Sequence, residues 1–250
     1  MGLSRRVCVE PTAERATDLV SELIKSIICE STGARGSAFV ALAGGTTPHA
    51  LYQRLASFGT GGEVPWADTE IFFGDERDVP LDHIESNYNM AQRSLLDHLP
   101  IEPGRIHPMR GDAADLVAAA REYEQTVRRI VPSEGGSLPR FDLVLLGMGG
   151  DGHTASLFPN TSALEEKIAL VASNFVPVLN RTRLTFTYPL INAARNVILL
   201  VTGDDKAEAV SLLLSEDAQK QKRVPASGVS PVDGLLTMVF DAAAARRATV

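Results

Sequence analysis

Four short apolar segments of this chain each run directly into a cluster of glycine, small polar and charged residues. Residues 38–43 end at Gly44, Gly45, Thr46 and Thr47, and residues 71–73 end at Gly74, Asp75, Glu76 and Arg77. Residues 141–146 lead into Gly147 through Thr154, and residues 197–202 into Gly203, followed by a helical stretch from Asp204 that carries Lys206. Short apolar runs separated by helix-length stretches read as buried strands joined by crossovers, because parallel neighbours need such connections and both faces of the sheet are then covered. The fold expected is doubly wound α/β and Rossmann-like: a mostly parallel sheet with helices on both faces. Ligands of such sheets bind beyond the carboxyl ends of the strands. All four polar clusters occupy that position, so residues scattered in sequence are expected to converge on one edge.

Between the strands, Val20, Leu23, Ile24, Ile27 and Ile28 recur at helical spacing within residues 12–30, which predicts an amphipathic helix broken by Gly33 to Gly36. After the first cluster, Thr47 as N-cap and Pro48 as first helical residue predict the start of another helix. Ser133, Gly135, Gly136 and Ser137 form a polar stretch between Pro132 and Pro139, read as a surface loop because the same strand and helix alternation continues on both sides. Residues 1–250 are therefore expected to form a single domain.

A formal net charge of −7 argues against general affinity for nucleic acid or an anionic membrane, so an anionic ligand needs a local group of donors. No apolar run approaches the roughly 20 residues that span a bilayer. Arg5 and Arg6 are followed by Glu10 rather than an apolar signal core, and Cys8 and Cys29 fall on separate elements, as suits reduced thiols. A cytoplasmic protein, monomeric or a small homo-oligomer, is expected.

Gly44, Gly45, Thr46 and Thr47 stand where a strand meets a helix, and free N–H groups and the helix dipole there favour a phosphate. Arg183, with Arg181 as competitor, and Lys206 supply positive charge. The run from Gly147 to Gly152 matches G-x-G-x-x-G, but the acidic residue that should follow the next strand is missing: the apolar residues 168–172 lead into Ser173 and Asn174. No cofactor is expected. His153, at the mouth of the glycine-rich turn, is the candidate general base, whereas His49, His83, His98 and His107 read as capping histidines. Nothing in the chain has a recognisable zinc spacing around Asp151, His153 and Asp75, and no metal is expected.

Taken together, Ala43-Gly-Gly-Thr-Thr-Pro48, Gly74-Asp-Glu-Arg77, Ser86-Asn-Tyr88 and Gly147-Met-Gly-Gly-Asp-Gly-His-Thr-Ala-Ser-Leu-Phe-Pro159 resemble the ordered motifs of the 6-phosphogluconolactonases. The pattern continues with Arg183-Leu-Thr-Phe-Thr187, residues 189–195, Val201-Thr-Gly203 with Lys206 and Ala207, and Pro225-Ala-Ser227. The resemblance implies a fold shared with the glucosamine-6-phosphate deaminases and hydrolysis of 6-phospho-D-glucono-1,5-lactone in the oxidative pentose phosphate pathway. It implies His153 as the base, oriented by Asp75 or Asp151, with Gly45, Thr46, Thr47, Arg183 and Lys206 on the phosphate. Arg77, or N–H groups of the turn from Gly149 to Gly152, would receive the oxyanion. Two alternatives are a deaminase-like enzyme and a non-catalytic sugar-phosphate sensor. Deaminases carry an acidic residue where this chain has Phe158, a ring expected neither to carry a proton nor to orient an imidazole. A sensor would need a DNA-binding module, and no amino-terminal helix-turn-helix or basic segment is evident.

Overall fold

The structure, a computed structural model, describes residues 4–58, 62–133 and 138–248. Gly135, Gly136 and Ser137 of the expected surface loop lie outside the described residues. The strands are β1 (Ser4–Glu10), β2 (Ala38–Leu42), β3 (Thr69–Phe73), β4 (Asp75–Arg77), β5 (Leu143–Leu146), β6 (Val171–Val176), β7 (Arg181–Phe186), β8 (Asn196–Val201) and β9 (Leu235–Asp241). The helices that matter here are α1 (Ala13–Arg35), α2 (Thr46–Ala56), α3 (Asn87–Ser94), α4 (Leu116–Ile130), α5 (Tyr188–Ile191) and α6 (Ala207–Leu213).

Six strands form a parallel sheet in the order β1-β9-β8-β5-β2-β3. Successive side chains of a strand point to opposite faces, and both faces are covered. Leu143 and Leu145 join the core beneath α1, α2 and α3, while Val144 and Leu146 join the core beneath α4 and α6. This is the doubly wound arrangement expected. From β2 the chain moves outward to β3, then returns past β2 to β5 and continues to β8. The loops after β2 and β5 therefore diverge, and their mouth is the topological switch point where such sheets bind ligands.

Three local expectations are corrected. Helix α1 continues through Gly33 and stops only at Gly36, whose φ of 78° is left-handed. Gly45, not Thr47, precedes α2 as its cap, with φ 105°, so Thr46 is the first helical residue and Pro48 the third. The Thr47 hydroxyl instead lies 2.9 Å from that of Thr202, tying the loop after β2 to the end of β8. Lys206 closes a 3₁₀ turn, Asp204–Lys206, immediately before α6.

A second sheet, antiparallel and ordered β4-β7-β6, was not anticipated from the apolar pattern. It arises because the chain leaves the parallel sheet at Gly74, whose carbonyl accepts from the Phe186 N–H at 2.7 Å, and pairs with β7. The register sets Asp75 opposite Thr185 and Arg77 opposite Arg183. Two cationic side chains separated by about a hundred residues in the chain thus become direct cross-strand neighbours.

Candidate active site

A cleft of about 340 Å³ opens at the switch point. Its lining includes Gly44, Gly45, Thr46 and Thr47 after β2, Asp75 and Arg77 on β4, and Gly147 to Gly149, His153 and Ser156 after β5. Arg183 on β7 and Thr202 and Lys206 after β8 complete it. All four polar clusters at the strand ends therefore meet.

The turn after β5 is built around its glycines. The Thr154 hydroxyl donates to the Gly147 carbonyl at 2.8 Å and the Gly149 N–H to the His153 carbonyl at 2.9 Å, which close the loop on itself. Gly152 adopts φ 80°, and a β-carbon there would sit 2.4 Å from Val224 Cγ1. A β-carbon on Gly149 would lie 2.2 Å from both Cε1 and Nδ1 of His153. Only a bare backbone lets the imidazole lie so close.

Asp151 Oδ1 accepts from the His153 backbone N–H at 3.1 Å and lies 2.6 Å from His153 Nδ1. With a carboxylate as partner, Nδ1 carries the ring proton and Nε2 keeps its lone pair. Burial pushes the Asp151 carboxyl up, but the hydrogen bond and charge of His153 outweigh it and hold the group below its ordinary value. On the other side, the Phe158 ring stacks on the imidazole, with centroids 3.9 Å apart and planes inclined by 16°. The apolar ring at position 158 thus packs directly against the histidine.

Asp75, the other candidate partner of His153, is buried and otherwise engaged. Its Oδ2 accepts from the Ser156 hydroxyl at 2.7 Å and its Oδ1 from Asn87 Nδ2 at 3.2 Å. Ala155, at a left-handed φ of 46°, turns the chain so that Ser156 reaches it. Asn87 also supports the loop after β2, since a β-carbon on Gly44 would sit 1.9 Å from its Oδ1. The fully buried Glu76 accepts from the N–H groups of Arg77, Asn87 and Tyr88 at 2.8, 2.7 and 2.9 Å and from the Ser86 hydroxyl at 3.0 Å. It thereby fastens the start of α3 to β4. Burial pushes its carboxyl up against the pull of those donors.

The cationic side of the cleft is Arg77, Arg183 and Lys206. Arg77 Nη1 donates to the Glu85 carbonyl at 2.6 Å, and Lys206 pairs with Asp205 at 2.8 Å. The Nε atoms of Arg77 and Arg183 are buried with no hydrogen-bond partner among the described residues. Burial, reinforced by the charge of Arg77, lowers the pKa of Arg183. Unsatisfied buried donors on two adjacent guanidiniums are costly, and an anion offsets that cost. Arg181 is not part of this wall: its Nε binds both oxygens of Asp78, at 2.7 and 2.8 Å, away from the cleft.

Of the candidate catalytic and phosphate-binding residues named from the sequence, all but Arg181, Asp151 and the turn residues Gly150 and Gly152 line the cleft, and Asp151 acts on it from behind through His153. None of His49, His83, His98 and His107 lines it. Ser156, Thr202, Asn87 and Glu76 were given no role from the sequence. Ser156 and Asn87 fall inside recognisable motifs, but what each contacts depends on residues roughly 10 to 80 positions away and left no local signal.

Comparison with known proteins places these features in a family. Residues 11–238 match the family described as glucosamine-6-phosphate isomerases/6-phosphogluconolactonase. A 6-phosphogluconolactonase of Synechocystis sp. is 41% identical over 229 residues, which is 90% of this chain and 90% of that protein. The solved 6-phosphogluconolactonase of Trypanosoma brucei superposes with a TM-score of 0.83 at 30% identity, covering 98% of this chain and 99% of its own. A monomeric glucosamine-6-phosphate deaminase, at 23% identity and a TM-score of 0.81 over 97% and 99% of the two chains, shares the fold.

Proposed function

The chain belongs to the glucosamine-6-phosphate isomerase/6-phosphogluconolactonase family, and we propose that it hydrolyses 6-phospho-D-glucono-1,5-lactone to 6-phospho-D-gluconate. One observation carries this reading: an imidazole held by a carboxylate at 2.6 Å shares a cleft with two arginines and a lysine. A base and an anion anchor in one small cavity suit a substrate that bears a phosphate at one end and an ester carbonyl at the other.

His153 Nε2 takes a proton from water, and the resulting hydroxide attacks the lactone carbonyl. Asp151 keeps the ring in the required tautomer and stabilises the imidazolium that forms. Negative charge develops on the carbonyl oxygen, and Arg77 receives it through its buried Nε, which has no partner among the described residues, whereas the N–H groups of Gly149 and Gly152 already serve the His153 and Gly149 carbonyls. The tetrahedral intermediate then expels the ring oxygen, which recovers the proton from His153. The phosphate rests on Gly44, Gly45, Thr46 and Thr47 with Lys206 and Arg183. The whole chain works as one unit in this scheme, because the cleft draws on both sheets. In a cell the reaction would serve the hydrolytic step of the oxidative pentose phosphate pathway in the cytoplasm; no helix among the described residues is long and apolar enough to cross a membrane.

The deaminase reading is weaker, because Phe158 covers the imidazole where an acidic residue would stand in a deaminase. Acid release from purified protein, measured above the spontaneous rate, tests the proposal. Phosphorylated lactone should be hydrolysed faster than unphosphorylated lactone, with no ammonia released from glucosamine 6-phosphate. Rates equal to background would end it.

A further inference from the structure

The imidazole of His153 has protein on three sides. Asp151 holds Nδ1 in the ring plane, the bare backbone of Gly149 abuts the Cε1 and Nδ1 side, and Phe158 covers one face at 3.9 Å. No hydrogen bond among the described residues engages Nε2. Phe158 is itself buried, with 8% of its surface exposed, and it borders the cleft. Its ring is thus fixed by packing, and it can fix its neighbour in turn.

We propose that Phe158 is a positioning residue for the reaction inferred above, acting through His153 in two ways. First, the stack limits rotation of the imidazole about its own bonds, so that Nδ1 stays on Asp151 and Nε2 stays directed at the attacking water. A hydrogen bond to Asp151 alone lets the ring swing off that contact, and the flat contact at 16° opposes the swing. Second, the aromatic face stabilises the charge that the reaction creates. As a water proton passes to Nε2 and the oxygen–carbonyl carbon bond forms, the imidazole becomes a cation lying against the negative face of a π system. The same attraction is absent from the neutral ground state, so it acts on the transition state and raises kcat rather than substrate affinity. When the ring carbon–oxygen bond breaks, the proton returns to the leaving alkoxide and the imidazole is neutral again.

An acidic residue at this place would be a proton carrier. The aromatic residue instead allows the histidine a single partner, Asp151, and leaves Nε2 as the one proton acceptor of the pair. The position thus separates water activation from chemistry that needs a second acid.

The proposal rests on the lactonase reading for its kinetic part, and the following test separates the two. Phe158→Leu removes the π face while keeping an apolar side chain, and Phe158→Tyr restores the face. Long-range ¹H–¹⁵N spectra of the free enzyme report which nitrogen of His153 carries the proton, without any turnover. The Nδ1–H form should dominate in the native protein and in Phe158→Tyr, with Phe158→Leu becoming a mixture of tautomers. In steady-state assays Phe158→Leu should lose on the order of tenfold in kcat with KM within about twofold, and Phe158→Tyr should recover most of it. Thermal unfolding confirms that each variant is folded at the assay temperature. Unchanged tautomers in Phe158→Leu would overturn the positioning role, as would a loss confined to KM, or equal losses in the leucine and tyrosine variants. A native protein with ordered tautomers but no lactone hydrolysis would count against the function and leave the positioning intact.

Discussion

Replacing Gly149 with alanine adds one methyl group, and the geometry sets what that methyl must do. Gly149 does not have a left-handed backbone, so alanine itself is tolerated there, but its β-carbon would stand 2.2 Å from two atoms of the His153 ring and 2.8 Å from Asp151 Oδ1. Ordinary contact begins near 3.4 Å, so the imidazole must retreat by about 1 Å. Phe158 stands 3.9 Å away across one ring face, so the ring escapes by swinging off Asp151 into the cleft rather than by sliding back. A displacement of this size in a catalytic group costs on the order of 10²-fold, or about 2.7 kcal/mol of transition-state stabilisation. The anion-binding side of the cleft is untouched, so KM should stay within about twofold. Because the clash is relieved by a side chain rather than by the backbone, the stability loss should be about 1 kcal/mol, a few degrees in Tm for a chain of this size. Continuous acid-release kinetics and thermal unfolding on the same preparation measure both quantities. A Gly149→Ala enzyme with kcat within threefold of the native value would refute the claim that close approach of the imidazole to this backbone sets the position of the base.

Arg183→Ala and Lys206→Ala should each raise KM by roughly 10- to 100-fold, the equivalent of about 1.5–3 kcal/mol for a charge-assisted contact, whereas Arg181→Ala should change it by less than about twofold because that side chain is held by Asp78. Substrate saturation curves decide this, and an unchanged KM in the first two would remove them from the phosphate site. Glu76→Gln should destabilise the protein by roughly 2–5 kcal/mol, since an amide sets donors against donors where four hydrogen bonds now converge on a carboxylate; denaturant titration with little change in midpoint would show those bonds to be dispensable. Asp151 has a depressed folded-state pKa, so its contribution to stability is complete above the ordinary carboxyl value of about 3.9 and is lost only as pH falls through the lower folded value. Mild acidification should therefore leave this contribution intact, and an unfolding midpoint that falls between about pH 7 and pH 5 by more in the native protein than in Asp151→Asn would contradict this assignment.

The sequence by itself determined the alternation of strand and helix, the parallel main sheet and the placing of the polar clusters at strand ends. Those properties follow from apolar periodicity and glycine punctuation, which are local and written in consecutive residues. It also singled out His153, and it left Asp75 and Asp151 as equal candidates for the partner. Only the tertiary structure separates these two carboxylates, because Asp75 is taken by Ser156 and Asn87 while Asp151 folds back onto the ring two residues away. Likewise Arg181 and Arg183, two residues apart on one strand, are equivalent in sequence. The register of β7 against β4 sets Arg183 opposite Arg77 and leaves Arg181 to Asp78. The stack of Phe158 on His153 was likewise illegible, since an apolar residue near a turn carries no mark of which ring it will cover. The physical reason is common to all three cases: a local pattern dictates which element forms, but a side chain's partners are fixed by pairing register and packing between segments that meet only when the chain has closed.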